Sequence, residues 1–211
     1  MTLHRETITD AMRTIAEIVS ARFDSGYYLA GGTALALRIG HRQSVDLDYF
    51  INAAIDTTVL KALVRDAFAG HDVAFPFETT NTLWCSIDGV KVSFISRFDP
   101  LLEPVEMLGG IRVASLEDIT VMKLAAICGR EEYKDYFDLA CLANATDPRA
   151  WIGWWQSAYP RADYTSFLVA LGAADSVPNV QLMVFGACQN TDVVATLARV
   201  TADITAFLKQ G

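Results

Sequence analysis

The residues best suited to chemistry fall in one short stretch, Tyr28 to Phe50, which reads YLAGGTALALRIGHRQSVDLDYF. Gly31-Gly32-Thr33 opens a helical run, and Asp46 and Asp48 sit in an alternating one. Two glycines let the backbone approach a ligand closely. The first turn of a helix offers free N–H groups and a positive dipole end, which together suit a phosphate. Thr33 adds a hydroxyl. Two acids at i and i+2 on a strand leave the same face, about 6–7 Å apart along the backbone. Asp46 and Asp48 can therefore converge on one or two hard cations. Mg²⁺ is held by one or two carboxylates plus substrate phosphates, and paired ions stabilise both the attacking and leaving oxygens of an in-line displacement. Taken alone, the glycine pair reads as a tight turn and the Asp-x-Asp as a solvated strand face. A helix between the two, with thirteen positions from Thr33 to Asp46, makes them one site.

The elements that must position these residues follow from periodicity. A helix is expected over Ile8–Phe23, capped by Thr7 or Thr9. A short strand over Tyr27–Ala30 and a helix over Ala34–Ile39, ended by Gly40, come next. The strand Val45–Ile51 places Leu47 and Tyr49 on one face and Asp46 and Asp48 on the other. A helix opened by Thr57 or Thr58 runs to Ala69. Val73–Glu78 reads as a strand interrupted by Pro76. Leu83–Ile87 and Val90–Ile95 flank Asp88-Gly89, a strong hairpin signal. Ile111–Val113 is a short strand. Ser115 and Asp118 imitate a capping box for a helix over Leu116–Cys128, and another helix covers Tyr133–Ala143. From Asp147-Pro148 onward the pattern is helical, over about 149–159, 163–173, 179–188 and 192–209. The expected architecture is a mixed sheet with helices over residues 1–114 and a helical region over 115–211 packing on it.

Composition bounds the rest. The 211 residues are 52% hydrophobic and 20% charged, which suits a chain with a real core. Mean hydropathy is +0.26, yet no run of 18 apolar residues occurs and the N-terminus lacks an apolar leader core, so neither a membrane span nor a signal peptide is expected. Cys85, Cys128, Cys141 and Cys188 are too widely spaced for a zinc cage or a disulfide framework, and read as buried thiols of a cytoplasmic protein. The net charge of −8 opposes non-specific nucleic-acid binding, so a nucleic-acid partner needs a local basic patch.

The motifs resemble those of the nucleotidyltransferase AbiEii/AbiGii toxin family, in the polymerase-beta-like nucleotidyltransferase superfamily. The first block is Leu29-Ala30-Gly31-Gly32-Thr33-Ala34-Leu35 followed by His41-Arg42-Gln43-Ser44-Val45-Asp46-Leu47-Asp48-Tyr49-Phe50. The second comprises Asp118, Lys123, Ala125-Ala126, Arg130, Lys134-Asp135 and Phe137-Asp138-Leu139. The likeness covers roughly residues 25–143 and is loose beyond. It implies an α+β fold with a polymerase-beta-like core and a C-terminal helical region. It implies a nucleotidyltransferase that moves a nucleoside monophosphate from an NTP to an acceptor such as a tRNA 3′ end or another RNA, as a toxin with a cognate antitoxin. Gly31, Gly32, Thr33, Arg42, Ser44 and Lys123 would surround the nucleotide. Asp46 and Asp48 would carry Mg²⁺ or Mn²⁺. Asp46, Asp48, Lys123 and Asp138 would form the catalytic set, with Asp135 a neighbour of Asp138.

One departure matters. The superfamily places a third acid on a later strand, and here Ser93 stands at that position in Val90–Ile95. Either Asp138 or Asp135 supplies the base, or turnover is weak or lost. Two other readings stay open: modification of a protein or small molecule, and a nucleotide-binding module without turnover. Lys134 and Asp138, four apart on a helix, can pair as a salt bridge. His41 and Arg130 are candidate phosphate contacts. Trp151, Trp154, Trp155 and Tyr159 offer stacking surfaces, though their helical spacing also suits packing.

Overall fold

The computed structural model describes residues 3–210. The order is α1 (Asp10–Arg22), β1 (Tyr28–Ala30), α2 (Gly31–Ile39), β2 (Asp46–Ile51), α3 (Thr57–Ala67), β3 (Val73–Thr79), β4 (Thr82–Ile87), β5 (Val90–Ser96), β6 (Glu106–Leu108), β7 (Ile111–Val113), α4 (Leu116–Gly129), α5 (Tyr133–Ala145), α6 (Trp151–Ala158), α7 (Thr165–Gly172) and α8 (Val193–Leu208). The seven strands form one mixed sheet in the order β3-β4-β5-β2-β1-β7-β6. β2 runs parallel to β5 and antiparallel to β1, and β1 runs parallel to β7.

Local chemistry explains most boundaries. Thr9 caps α1 by accepting the Met12 N–H, and Asp56, rather than a threonine, caps α3 by accepting those of Thr58 and Val59. Asp88 and Gly89, both at positive φ, turn the β4–β5 hairpin. Ser115 accepts the Asp118 N–H at the start of α4. The Asp118 carboxylate takes the Ser115 hydroxyl in return and also the N–H groups of Leu102 and Glu103. The capping acid thus also pins the preceding loop.

The two sheet faces differ. On one, Leu47, Tyr49 and Phe94 are fully buried, and Tyr49 and Phe94 stack with ring centroids 5.5 Å apart. Phe94 also stacks on Phe23, just past α1, at 5.4 Å. The other face carries Asp46, Asp48 and Ser93 beneath α2, α4 and α5, and there a cleft opens. The buried core runs without a break from α1 to α8, through Trp151, Trp155, Leu197 and Ile204.

Three expectations change. The helix expected over 179–188 is an extended strap followed by a 3-10 turn, Gly186–Asn190. Val184 bridges to Arg42, Gln43 donates its N–H to the Met183 carbonyl at 2.8 Å, and Phe185 donates to the His41 carbonyl at 2.9 Å. Pro178 and Gly186 (φ +57°) bracket the strap, and pairing with the loop after α2 replaces intrahelical bonds. The helix from Asp147-Pro148 begins as a 3-10 turn before α6. Of the four cysteines only Cys85 and Cys141 are buried; Cys128 is exposed and Cys188 half-buried. No helix among the described residues is long and apolar enough to cross a membrane.

Candidate active site

The cleft has a volume of about 880 Å³. Its floor is the sheet. Asp46 and Asp48 point up from β2, Ser93 and Ile95 from β5, and Arg97 from just past its end. Gly31 and Gly32 form one wall at the start of α2, facing Lys123 on α4 and Asp135 on α5, while Gln181–Met183 of the strap make the rim.

The glycine pair is fixed by its surroundings. Gly31 has φ +67°, and a Cβ there would lie 3.4 Å from Asp48 Oδ2, so the helix start approaches the acid closely. A Cβ on Gly32 would collide with Arg42 Nη2 and reach within 3.6 Å of Asp138 Oδ2. The first N–H groups of α2 lack intrahelical acceptors by geometry.

The acids carry an electrostatic burden. Burial raises the Asp48 carboxyl above its ordinary value; the bond from Ser93 opposes this and the Asp46 charge adds to it. Ser93 Oγ donates to Asp48 Oδ1 at 2.5 Å, directly across the β2–β5 register. Two carboxylates side by side, one partly desolvated, form an environment that a divalent cation would relieve. Mg²⁺ asks for no more protein ligands than this pair. No group of three or more His, Cys, Asp or Glu able to hold a metal occurs among the described residues, so any ion here would complete its shell from phosphate and water.

Beneath the cleft lies a buried ionic network. Asp138 is fully buried. Its Oδ1 accepts from His41 Nε2 at 2.8 Å and Arg42 Nε at 2.7 Å. Its Oδ2 accepts from Arg42 Nη2 at 2.9 Å and pairs with Lys123 Nζ at 2.5 Å. Lys123 also donates to Asp135 at 2.6 Å, and Arg130 Nε reaches the other Asp135 oxygen at 2.8 Å. Burial opposes every charge in this group, and the pairing overrides it. Asp138 lies well below the usual carboxylate range and Asp135 is lowered, while Lys123 and Arg42 are raised. His41 is the exception: burial lowers it despite Asp138, so it is neutral near pH 7. A neutral ring facing an ionised carboxylate carries its proton on Nε2, which leaves Nδ1 buried without a hydrogen-bond partner.

This arrangement corrects several expectations. Asp138 does not line the cleft; its oxygens are taken up by three basic side chains behind the wall. The Lys134–Asp138 pair does not form, because Lys134 is half-exposed at the helix start and pairs with Glu132 at 3.1 Å. The Thr33 hydroxyl turns inward to Ser44 Oγ at 2.6 Å and to the Asp46 carbonyl, tying α2 to β2 instead of reaching a phosphate. His41 sits in the loop after α2 but is buried, and it does not line the cleft. Arg42, Ser44, Lys123 and Arg130 do line the cleft. Trp151 and Trp155 are core residues, and Trp154 is partly buried against the core. Tyr159 reaches the cleft and accepts from Arg97 Nη2 at 2.9 Å. Sequence reasoning missed Trp84, Arg97 and the strap. Their place in the cleft depends on strand register and on a distant chain segment.

A glycine-started helix beside a strand-borne acid pair on this mixed sheet is a layout shared with the nucleotidyltransferase fold. The particular family is equally clear: residues 13–152 match the model of the nucleotidyl transferase AbiEii toxin of Type IV toxin–antitoxin systems, and the chain belongs to that family. An uncharacterized protein of Aquifex aeolicus (strain VF5) is 34% identical over 139 residues, which span 64% of this chain and 66% of that protein, just under two thirds of its length. Among solved structures, MenT4, a nucleotidyltransferase toxin from Mycobacterium tuberculosis H37Rv, aligns with a TM-score of 0.61 and 20% identity, covering 94% of this chain and 82% of that one. JHP933 from Helicobacter pylori aligns at 0.52 and 21% identity, covering 98% and 91%. At such identities the structures show the shared fold.

Proposed function

We propose that this protein transfers a nucleoside monophosphate from an NTP to the 3′ hydroxyl of an RNA, the tRNA 3′ end being the acceptor its family resemblance implies, and that it acts as a toxin held in check by a cognate antitoxin. The observation that carries this reading is the convergence of the Gly31–Gly32 helix start and the Asp46–Asp48 pair in one cleft, with Arg42 and Lys123 in its wall. The helix N–H groups and these two cations suit a triphosphate. Asp46 and Asp48 would hold Mg²⁺ or Mn²⁺, which when bound would neutralise charge on the phosphates. In the transfer, the acceptor oxygen bonds to the α-phosphorus, the α–β bridging bond breaks, and pyrophosphate leaves. Such chemistry is largely positioning and electrostatics. Of the cleft's carboxylates, Asp135 has both oxygens engaged by Lys123 and Arg130, so Asp46 and Asp48 are left to receive the acceptor's proton. Ser93 holds the Asp48 carboxylate in place and Asp138 holds Arg42 and Lys123.

The test is incubation with each labelled NTP and total RNA, with Mg²⁺ or with chelator. Label should enter RNA only with metal, and Asp46→Ala or Asp48→Asn should abolish incorporation while leaving the fold intact. Label on protein or a small molecule overturns the RNA acceptor. NTP binding without any transfer would make the chain a nucleotide-binding module.

A further inference from the structure

On the cleft face of the sheet, four side chains stand in one row across four strands. Asp48 on β2 is opposite Ser93 on β5, Ser93 is opposite Trp84 on β4, and Trp84 is opposite Phe77 on β3. With strands about 4.8 Å apart, Trp84 lies roughly 10 Å from Asp48 and Phe77 roughly 14 Å. The Trp84 and Phe77 rings are in contact, with centroids 5.1 Å apart. Phe77 is 59% exposed, and Trp84 is half-buried and lines the cleft.

The placement of Phe77 is built. Ala74 pairs with Ser86, but the next pair is Phe77 with Trp84, so β3 has one residue more than β4 in this interval. That bulge contains Pro76. Without it, residue 76 would face Trp84 and Phe77 would point to the other side, where Phe75 lies under the Lys61 and Arg65 side chains of α3. Bulges of this kind re-aim side chains, and edge strands and bulges are where proline is tolerated in a sheet. An apolar ring aimed into solvent beside the reacting acids is otherwise a liability on an edge strand. Lys91, exposed and opposite Asp46 in the adjacent row, adds a positive charge on the same face.

We infer that Trp84 and Phe77 form a stacking platform for unpaired bases at the 3′ end of the acceptor strand, with Lys91 beside it for the backbone phosphate. This rests on the RNA acceptor proposed above. The dimensions select the occupant. A ribose hydroxyl placed at the acids leaves its own base one ribose away, over Trp84, and the preceding base one ring further, over Phe77. Aromatic stacking accepts any base, so the platform selects for single-stranded ends rather than for sequence. It also supplies a local contact that the overall negative charge does not.

The experiment uses the full chain with Mg²⁺ and three short RNAs: a single strand with a free 3′ hydroxyl, the same strand lacking its terminal base, and the same 3′ end closed in a blunt duplex. Trp84→Ala and Phe77→Ala should each raise KM for the single strand about tenfold, while Trp84→Tyr retains most of the affinity. NTP affinity of Phe77→Ala should match wild type. Removing the terminal base should weaken wild type about tenfold and Trp84→Ala far less, because the two losses are the same contact. Fluorescence anisotropy of the RNA on an Asp48→Asn background should show the same order without turnover. Phe77 is exposed, so its variant tests the platform even if Trp84→Ala fails to fold. If wild type labels the single strand and both alanine variants do so with unchanged KM, or if duplex and single strand are used equally, the platform is wrong while the RNA acceptor stands. If wild type neither binds nor labels any RNA, the acceptor reading fails and the platform with it.

Discussion

Replacing Asp138 with asparagine removes one charge and almost no volume, yet it strikes the centre of the buried network. Donors from His41, Arg42 and Lys123 converge on two carboxylate oxygens. Asparagine offers one oxygen and turns an NH₂ toward the remaining donors. Arg42 loses the carboxylate that binds it at both Nε and Nη2, and Lys123 keeps only Asp135. Leaving a buried ion without its partner costs about 3–5 kcal/mol. With a urea dependence of about 2 kcal/mol per molar, the unfolding midpoint should fall by roughly 1.5–2.5 M. Arg42 and Lys123 also line the cleft, so their displacement should lower turnover by on the order of a hundredfold. The assay is urea unfolding of Asp138→Asn alongside metal-dependent NTP turnover under conditions where the variant remains folded. An unchanged midpoint would refute the network argument. Normal stability with lost turnover would show that Asp138 itself takes part in the reaction, and lost stability with normal turnover would show that the positions of Arg42 and Lys123 are irrelevant to it.

Gly32→Ala should weaken NTP binding at least tenfold, about 1.4 kcal/mol, because its Cβ occupies the place of Arg42 Nη2, which cannot retreat without releasing Asp138; unchanged affinity in a titration would make the glycine merely a turn. Ser93→Ala frees Asp48 Oδ1 but removes no charge, so turnover should fall less than tenfold, and a larger loss would assign Ser93 a direct role. The stability difference between wild type and Asp138→Asn should depend on pH. Because the Asp138 carboxyl is lowered in the fold, its contribution is full above the unfolded value of about 3.9 and is lost as pH falls through the folded one, so the difference should shrink in acid. Lys123 is raised, so its contribution is full below about 10.4 and is lost only above that in alkali; between pH 3 and pH 9 the difference should therefore narrow at the acid end alone.

Local chemistry made much of this molecule readable from its sequence. The Asp88-Gly89 turn, the Ser115 cap and the alternation of Asp46, Leu47, Asp48 and Tyr49 each depend on a few neighbouring residues, and each appears where expected. What could not be read depends on distant partners. Spacing of four suggested Lys134 for Asp138, but Lys123, on the preceding helix, lies closer. The stretch 179–188 reads as helical, yet its strap over 179–185 gives that up to pair with residues 41–43. Pro76 read as an interruption of a strand, whereas it sits in the bulge that turns Phe77 toward the cleft. β6, Glu106–Leu108, carries only one buried side chain, Leu108, and is a strand through its pairing with β7.

The strap also sets an order in time. The cleft takes its phosphate-facing glycines from residues 31 and 32 and its rim from residues 181–183. A chain emerging from the ribosome therefore displays its acid pair long before the rim that borders it exists, and Asp138 must be made before Arg42 has its carboxylate. The cleft is complete only after residue 183 has been added, so a nascent chain of this family member passes most of its synthesis without an assembled site, and a truncation ahead of the strap would remove both the rim and the share of the core that α8 supplies.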